Sequence, residues 1–316
     1  NLLRIVLSSF LTISFFYVMP IYLNFAEKNL NSKEFTNNSK QILAYTLNNG
    51  SKNQDEIINE NDVLFDIFNL NDLESDTVRL SAATIKQLFE DTGYNLNDVR
   101  KKKLVKPVAL TLLPQEIKMI ENVKKRKEFF IQIVLPLIIQ ENNNIRIDRK
   151  TLFSIINKNN NTKSEKQWLE KKYKQYGVNS RDLSLLKIRM DEIPTSLAIA
   201  QAAKETGWGT SRFAQEGNAL FGQWTWSGEG LRPKDAEKGK GHKVMKFNVL
   251  QASVRAYQRN LNTHSSYKAF RKARAEFRDL NKSLDSIELS KFLNKYAETG
   301  NQYVEVLQKI IMQNKL

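Results

Sequence analysis

The sequence contains no cysteine and only two histidines, His242 and His264, among 316 residues. The lack of cysteine excludes disulfide bonds, thiolate nucleophiles, and zinc or iron–sulfur sites built on cysteine. The two histidines do not stand in an HExxH or similar spacing, so metal catalysis built on imidazole is not expected. We therefore expect neither a metal ion nor any other cofactor.

Acidic residues are too few to balance the basic ones, and 49 Lys and Arg against 34 Asp and Glu give a net charge of +15. Such a charge attracts polyanions, of which nucleic acid and an anionic cell envelope are the two candidates. The densest basic clusters, residues 101–103 and 124–127, fall in helical contexts, and no nucleic-acid-binding motif accompanies them. Solvated helix faces explain these clusters, so nucleic acid is not expected as a partner.

One long apolar run lies near the N-terminus, at residues 5–23. Its length is close to the ~20 residues that a membrane-spanning helix needs. Arg4 precedes the run and favours the orientation in which the rest of the chain lies outside the cytoplasm. A cleaved signal peptide is the alternative, but residues 24–26 form a poor cleavage site. We favour an uncleaved anchor.

Composition and apolar spacing divide the chain into four parts. Residues 1–25 are the membrane anchor or signal segment, and residues 26–61, rich in Asn, Ser, Lys and Gln, are a flexible tether. Residues 62–160 are a helical region that packs on the main domain, residues 161–316. Helical spacing from 115 to about 140 includes an apolar run at residues 129–139, which is too short for a second membrane span and predicts a buried core helix. The fold class expected is α+β and mostly helical, with a small β-hairpin within residues 223–247.

A short alanine-rich helix carries the most informative carboxylate. Pro194 suits its first turn and Gly207 ends it. Between them Ala198, Ala202 and Glu205 share one face by the i, i+4, i+7 rule. Glu205 is therefore expected in the last helical turn, over an apolar stripe.

Two effects are expected to favour the neutral form of Glu205. Burial disfavours the ionised carboxylate, and so does the negative end of the helix macrodipole. These conditions make a glutamate a proton donor near neutral pH. A structural glutamate there would need a basic partner, and the neighbouring Lys204 points elsewhere because adjacent helical residues diverge. A catalytic role is favoured over a structural one.

Three of the four tryptophans follow this helix within a glycine-punctuated segment: Trp208, Trp224 and Trp226. Aromatic faces beside a carboxylic acid suit a sugar polymer, whose rings present apolar CH faces and a polar rim of hydroxyls. The alternative is that the rings fill the core, and this is favoured for Trp208 at the helix end. For Trp224 and Trp226 both interpretations stay open.

Two motifs surround Glu205: Leu197-Ala-Ile-Ala-Gln-Ala-Ala-Lys-Glu-Thr-Gly-Trp-Gly-Thr-Ser211 and Asn218-Ala-Leu-Phe-Gly222. Together they resemble the signature of bacterial β-N-acetylglucosaminidases of glycoside hydrolase family seventy-three. Three further segments, Phe221-Gly-Gln-Trp-Thr-Trp226, Leu261-Asn-Thr-His264 and 267–274, are similar to the membrane-associated Bax group within that family. The similarity extends from about residue 63 to the C-terminus and is strongest over residues 193–311.

The resemblance implies a lysozyme-like domain that cleaves the glycan strands of peptidoglycan. Glu205 matches the family's general acid, which protonates the glycosidic oxygen as an oxocarbenium-like charge grows on the sugar. The implied location is the bacterial cell envelope, with the catalytic domain in the periplasm or extracytoplasmic space and the N-terminal helix in the inner membrane. The implied partner is peptidoglycan.

The resemblance is less definite about the other site residues. A second carboxylate is expected in the loop that holds Glu229, Asp235 and Glu237, with Glu237 favoured, unless the substrate's own N-acetyl oxygen takes that role. A family tyrosine lining the cleft matches either Tyr296 or Tyr303. The residues expected to contact the substrate are Asn218, Phe221, Gln223, Trp224 and Trp226.

Two other functions fit the same sequence. A lytic transglycosylase shares the fold type and a lone glutamate but closes the sugar on itself. A non-catalytic wall-binding protein would keep the fold and the positive charge without turnover.

Overall fold

The structure, a computed structural model, describes residues 78–225, 230–232 and 243–316. They all belong to the unit Asn53–Leu316. The segments 1–25 and 26–61, predicted as anchor and tether, lie outside the described residues. Within the described part, no helix is both long enough and apolar enough to span a bilayer.

Helices dominate the described chain, with one small sheet. The α-helices are α1 (Ala82–Asp91), α2 (Leu96–Lys102), α3 (Val123–Ile156), α4 (Lys163–Gln175), α5 (Leu183–Arg189), α6 (Thr195–Thr206), α7 (Arg212–Gly217), α8 (Leu250–Thr263), α9 (Lys268–Asp279), α10 (Ser286–Ser290) and α11 (Asn301–Gln313). Short 3-10 helices occur at Gln115–Met119, Ser265–Tyr267 and Lys291–Leu293. The strands are β1 (Trp224–Thr225), β2 (Gly230–Leu231) and β3 (Lys243–Met245). The mostly helical α+β class predicted from the sequence is confirmed.

Polar caps start several of these helices. The side chains of Ser81 and Asn122 accept hydrogen bonds from backbone amides in the first turns of α1 and α3. Thr162 and Glu165 form a capping box at the start of α4, in which each side chain bonds the other residue's backbone amide. These caps satisfy amides that have no partner within the helix.

Helix α3 is longer than the sequence predicted. The helical spacing predicts one helix from residue 115 to about 140, but residues 115–119 form a separate 3-10 helix. Helix α3 begins at Val123, continues to Ile156 and contains Pro136 within it. A proline removes one backbone hydrogen bond and crowds the preceding turn. Burial on both sides of the proline offsets this cost, because Phe130, Ile138 and Leu152 are all fully buried. The buried core helix predicted around residues 129–139 is present.

The main hydrophobic core extends across the described chain. It joins Ile85 of α1, Phe130 of α3, Ala198 of α6, Leu261 of α8 and Leu307 of α11. Helix α6 packs against α3 on one side and against α11 on another. The helix that carries Glu205 is therefore central, and it is held between a helix from the N-terminal half of the described chain and one from its C-terminal end. The division into domains at residue 160 stays a prediction.

A small antiparallel sheet lies next in sequence after α6 and α7. Strand β3 is central and pairs with β1 on one side and β2 on the other. The register places Trp224 opposite Val244, and Gly230 opposite Met245. The amide of Phe247 donates to the carbonyl of Gly217, 2.9 Å away, so the end of α7 is tied to the segment after β3. A small β element was predicted here, and it forms a three-stranded sheet.

Candidate active site

Helix α6 has the boundaries that its sequence predicts. Pro194 precedes its first residue, and Gly207 ends it with a φ of 56° in the left-handed region, which glycine adopts without a side-chain clash. Ala198 and Ala202 are fully buried. Glu205 is half-buried in the last turn, while Lys204 is exposed. The carboxyl group thus lies at the C-terminal end of a helix whose small side chains allow close packing.

The chain leaves α6 through a strained turn that is fixed by packing. Gly207, Trp208 and Gly209 have φ values of 56°, 63° and 83°, all in the left-handed region. A Cβ on Gly209 would lie 2.9 Å from Cδ2 of Phe130, so the backbone passes directly over that ring. The Trp208 ring meets the Phe130 ring edge to face, with centroids 6.0 Å apart. Trp208 packs on the core, in agreement with the interpretation favoured from the sequence.

Glu205 receives one hydrogen bond and forms no ion pair among the described residues. The hydroxyl of Tyr303 donates to Oε1, 2.9 Å away. The other oxygen, Oε2, faces Gly222, where a Cβ would lie 3.5 Å from it. Burial raises the pKa of Glu205, and the Tyr303 hydrogen bond and the Lys204 charge oppose this shift only in part. Glu205 is therefore a carboxyl group whose proton is retained to higher pH than usual.

The hydrogen bond to Glu205 is the end of a longer buried chain. Gln201 donates from Nε2 to the hydroxyl oxygen of Tyr303 over 3.1 Å. Tyr257 donates its hydroxyl proton to Oε1 of Gln201 over 2.6 Å. The ring of Phe221 stacks on that of Tyr257 with centroids 3.8 Å apart and planes 6° from parallel. Residues from α6, α8 and α11 thus meet behind the carboxyl group.

The two candidate tyrosines have different partners. Tyr303 bonds Glu205 directly, whereas the hydroxyl of Tyr296 donates to the backbone carbonyl of Phe221 over 3.0 Å. The two phenol rings stack with centroids 5.4 Å apart. Burial is the main cause that raises the pKa of both hydroxyls, which remain protonated near neutral pH. Of the two, Tyr303 is the one placed to act on the carboxyl group.

Two residues expected to contact the substrate have partners inside the protein. Asn218 is 5% exposed and its Nδ2 donates to the carbonyls of Phe247 and Asn248, at 2.8 and 3.2 Å. Phe221 is 1% exposed and stacks on Tyr257. In the structure these side chains support the segment after α7, and their role in substrate binding stays a prediction.

The remaining predicted site residues are described in part or not at all. Gln223 is half-buried next to strand β1. For Trp224 only the backbone, in β1, is described. Trp226 and Glu237 lie outside the described residues, so their assignments stay predictions. Among the described residues, no three His, Asp or Glu side chains come together as a metal site would require.

Gln201 and Tyr257 were not predicted as site residues. Gln201 precedes Glu205 by four positions and therefore lies on the same side of α6, so the helical spacing that placed the alanines could have identified it. Tyr257 lies 56 positions after Gln201, on α8. Its contact depends on how α8 packs against α6, for which no local pattern gives a signal.

Comparison with known proteins identifies the family of the chain. The sequence model of the glucosaminidase family, described as mannosyl-glycoprotein endo-β-N-acetylglucosaminidase, matches residues 186–316. Protein bax of Escherichia coli (strain K12) is 33% identical over 196 residues, which are 60% of this chain and 70% of that protein. No solved structure matches the chain. From these matches, the chain belongs to the glucosaminidase family of glycoside hydrolases, among its Bax-type members.

Proposed function

We propose that the protein hydrolyses β-1,4 glycosidic bonds of peptidoglycan as a β-N-acetylglucosaminidase, with Glu205 as the general acid. The main support for this proposal is the environment of the Glu205 carboxyl group. It is half-buried at the end of α6, burial raises its pKa, and no described cation pairs with it. A glutamate in these conditions keeps its proton to higher pH than an exposed one does, as a general acid requires.

The proposed reaction uses this proton at the glycosidic oxygen. As the bond between C1 and that oxygen breaks, Glu205 transfers its proton to the leaving sugar, which departs with a new hydroxyl group. Positive charge develops on the ring that remains. Water then adds to C1, and the proton it releases restores the acid. Glu237 and the substrate's N-acetyl oxygen are the two candidates for the group that stabilises this positive charge.

Net charge and the predicted anchor support a cell-wall substrate. A charge of +15 favours binding to an anionic polymer, with an affinity that weakens as salt screens it. If residues 5–23 anchor the chain, the catalytic domain lies in the periplasm or extracytoplasmic space, where the wall is found. A flexible tether at residues 26–61 would give an r.m.s. reach of roughly 30 Å from the membrane.

The direct test is digestion of purified peptidoglycan by the full chain and by a Glu205→Gln variant. Removing the general acid should lower turnover by about 10²–10⁴-fold while thermal unfolding shows an intact fold. Glu305→Gln is the matched control, because Glu305 is exposed on α11, the helix that carries Tyr303, and its loss should leave turnover unchanged. Wild-type turnover in Glu205→Gln would rule out the mechanism.

The chemical identity of the new ends separates the alternatives. Reducing N-acetylglucosamine ends support the proposal. Anhydro-muramic ends would identify a lytic transglycosylase, and reducing muramic ends would show that the other glycosidic bond is cut. Sedimentation with peptidoglycan without the release of any ends would show a non-catalytic wall-binding protein.

A further inference from the structure

We propose that Gln201 and Tyr257 are positioning residues that direct the single hydroxyl proton of Tyr303 to Oε1 of Glu205, and so keep the acidic proton of Glu205 on Oε2. This inference rests on the proposed function of Glu205 as general acid. It assigns a task to two residues that do not themselves reach the substrate.

The direction of these hydrogen bonds follows from the number of protons that each group can donate. A phenol has one proton to donate, and its oxygen accepts others. Tyr303 accepts from Nε2 of Gln201 at 3.1 Å and therefore gives its own proton to Glu205 at 2.9 Å. Gln201 in turn accepts at Oε1 from Tyr257 at 2.6 Å. Each donor in this chain points toward Glu205.

The orientation of the Gln201 amide follows from the hydrogen bonds around it. Gln201 and Tyr257 are both fully buried. A reversed amide would present its NH₂ group to Tyr257, and the hydroxyl proton of Tyr257 would lose its acceptor inside the core, which is unfavourable. The reversed carbonyl oxygen would also compete with Glu205 for the proton of Tyr303. Tyr257 therefore fixes the amide, and the amide fixes Tyr303.

The two oxygens of Glu205 have different surroundings. Oε1 accepts the hydrogen bond from Tyr303, so in the neutral acid Oε1 is the carbonyl oxygen and the proton resides on Oε2. Oε2 forms no hydrogen bond with any described residue and lies beside Gly222, whose missing side chain leaves room next to it. A glycosidic oxygen that approaches Oε2 would meet the proton.

Most of the titratable groups around Glu205 are tyrosines. Burial raises the pKa of every tyrosine near it, so these hydroxyls stay neutral where Glu205 ionises. Among the described residues, five groups interact electrostatically with Glu205: Lys204 on α6, Tyr257 on α8, Tyr267 in the 3-10 helix Ser265–Tyr267, Tyr296, and Tyr303 on α11. The alkaline limb of the pH–activity profile is the range in which activity falls as pH rises. Because the tyrosines stay neutral there, a shift of this limb near neutral pH reports on the ionisation of Glu205.

The test is the pH dependence of kcat/KM for the full chain and a Tyr257→Phe variant on soluble peptidoglycan fragments. The variant keeps the ring that stacks on Phe221 but frees the Gln201 amide. Tyr303 then shares its proton with Gln201, its hydrogen bond to ionised Glu205 weakens, and the pKa of Glu205 rises. We expect the alkaline limb to move up by about half to one pH unit, and kcat to fall about 3- to 10-fold with KM unchanged.

Two further variants show whether Tyr257 acts through Tyr303. Tyr303→Phe removes the donor itself and should raise the alkaline limb further than Tyr257→Phe does. In the Tyr303→Phe background, Tyr257→Phe should produce no additional shift, because the two residues act in series. Additive shifts would overturn the inference. Gln201→Met offers Tyr303 no second acceptor, so it should leave the alkaline limb near its wild-type position, and Tyr257→Phe in that background should no longer move it. Gln201→Glu, whose carboxyl oxygens do offer a second acceptor, should raise the limb and replaces Tyr257→Phe if that variant does not fold.

The matched control is Tyr94→Phe. Tyr94 is also buried, and its hydroxyl donates to the carbonyl of Gln132 at 3.1 Å, away from the site. Its loss removes a buried hydroxyl group of the same kind and should leave the alkaline limb in place. If Glu205→Gln is inactive but Tyr257→Phe keeps the wild-type limb, or still moves it in the Gln201→Met background, the positioning role is wrong and the general acid stands. If Glu205→Gln is active, the proposed function itself is wrong.

Discussion

Arg278 binds both carboxylate oxygens of Asp191, with Nε 3.2 Å from Oδ2 and Nη2 3.1 Å from Oδ1. The fully buried Arg274 lies on the same carboxylate, with its Nε 3.7 Å from Oδ2. Nη1 of Arg274 also donates to the backbone carbonyls of Asp191 and Glu192, 3.1 Å from each. These contacts hold the segment that enters α6 and thereby fix the start of the helix that carries Glu205.

Asp191→Asn should destabilise the protein by about 3–5 kcal/mol at neutral pH, because Arg274 would lose its countercharge inside the core. Burial alone would raise the pKa of Asp191, but the charges of Arg149, Arg278 and Arg274 outweigh it and lower the pKa. The folded-state pKa therefore lies below the unfolded value of about 3.9. The stabilisation is present above that pH and is lost as pH falls through the folded pKa. Urea unfolding at pH 7 and pH 3 should show the gap between variant and wild type narrowing in acid.

The control for this experiment is Glu288→Gln. Glu288 pairs with Lys291 on the surface, with Nζ and Oε2 2.7 Å apart and both side chains more than half exposed. An exposed pair contributes at most about 1 kcal/mol, so its loss should have little effect at either pH. Equal losses for Asp191→Asn and Glu288→Gln would show that the buried cluster does not stabilise the entry to α6.

Gly209→Ala should cost more stability than Gly93→Ala, although both glycines have left-handed backbones. At Gly93, with φ of 62°, no atom of the described residues lies within 4 Å of an added Cβ, so the expected cost is that of the backbone, about 1–2 kcal/mol. At Gly209, with φ of 83°, the methyl group would lie 2.9 Å from Phe130, which adds an overpacking cost of about 1–3 kcal/mol. The free energies of unfolding in urea measure the difference. Equal costs would contradict the close packing of α3 under the turn that follows α6.

Local signals explain why α6 and Glu205 could be predicted from the sequence. Pro194 and Gly207 determine the backbone conformation at their own positions, where α6 begins and ends. The spacing of Ala198 and Glu205 depends only on helix geometry. The length of α3 could not be predicted in this way. Its continuation beyond Pro136 depends on burial against other helices, which a local pattern does not encode.

The partners of Glu205 come from distant parts of the chain. Tyr303 lies 98 positions after Glu205, and Tyr257 lies 56 positions after Gln201. The family resemblance identified Tyr303 only as one of two candidates, because sequence alone could not separate it from Tyr296. Both rings lie near the site, where they stack on each other. Only the packing of α11 on α6 determines which of the two hydroxyls reaches the carboxyl group.

Glu205→Gln should make the protein more stable at neutral pH while it removes activity. The folded-state pKa of Glu205 is raised by burial, so the folded protein holds its proton to a higher pH than the unfolded chain does. The neutral carboxyl therefore stabilises the fold fully at pH values below the pKa of Glu205 in the unfolded chain. This stabilisation is lost as pH rises through the pKa of Glu205 in the folded protein. A neutral amide avoids this loss. Thermal unfolding should show the variant's advantage growing from pH 4 to pH 8, and a gap that is independent of pH would contradict the raised pKa.

Gly222→Ala should impair catalysis more than Gly207→Ala, because only the first change introduces an atom beside the reacting oxygen. Both glycines have left-handed backbones, with φ of 60° and 56°. The added methyl group would lie 3.5 Å from Oε2 of Glu205 at Gly222, but 3.1 Å from the side-chain oxygen of Thr210 at Gly207. A substrate oxygen that must reach Oε2 would be displaced, and such misplacement costs on the order of 10- to 100-fold in rate. Values of kcat/KM for the two variants, corrected for the folded fraction, measure this effect. Equal losses would mean that the proton leaves Glu205 from a side other than the one that Gly222 lines.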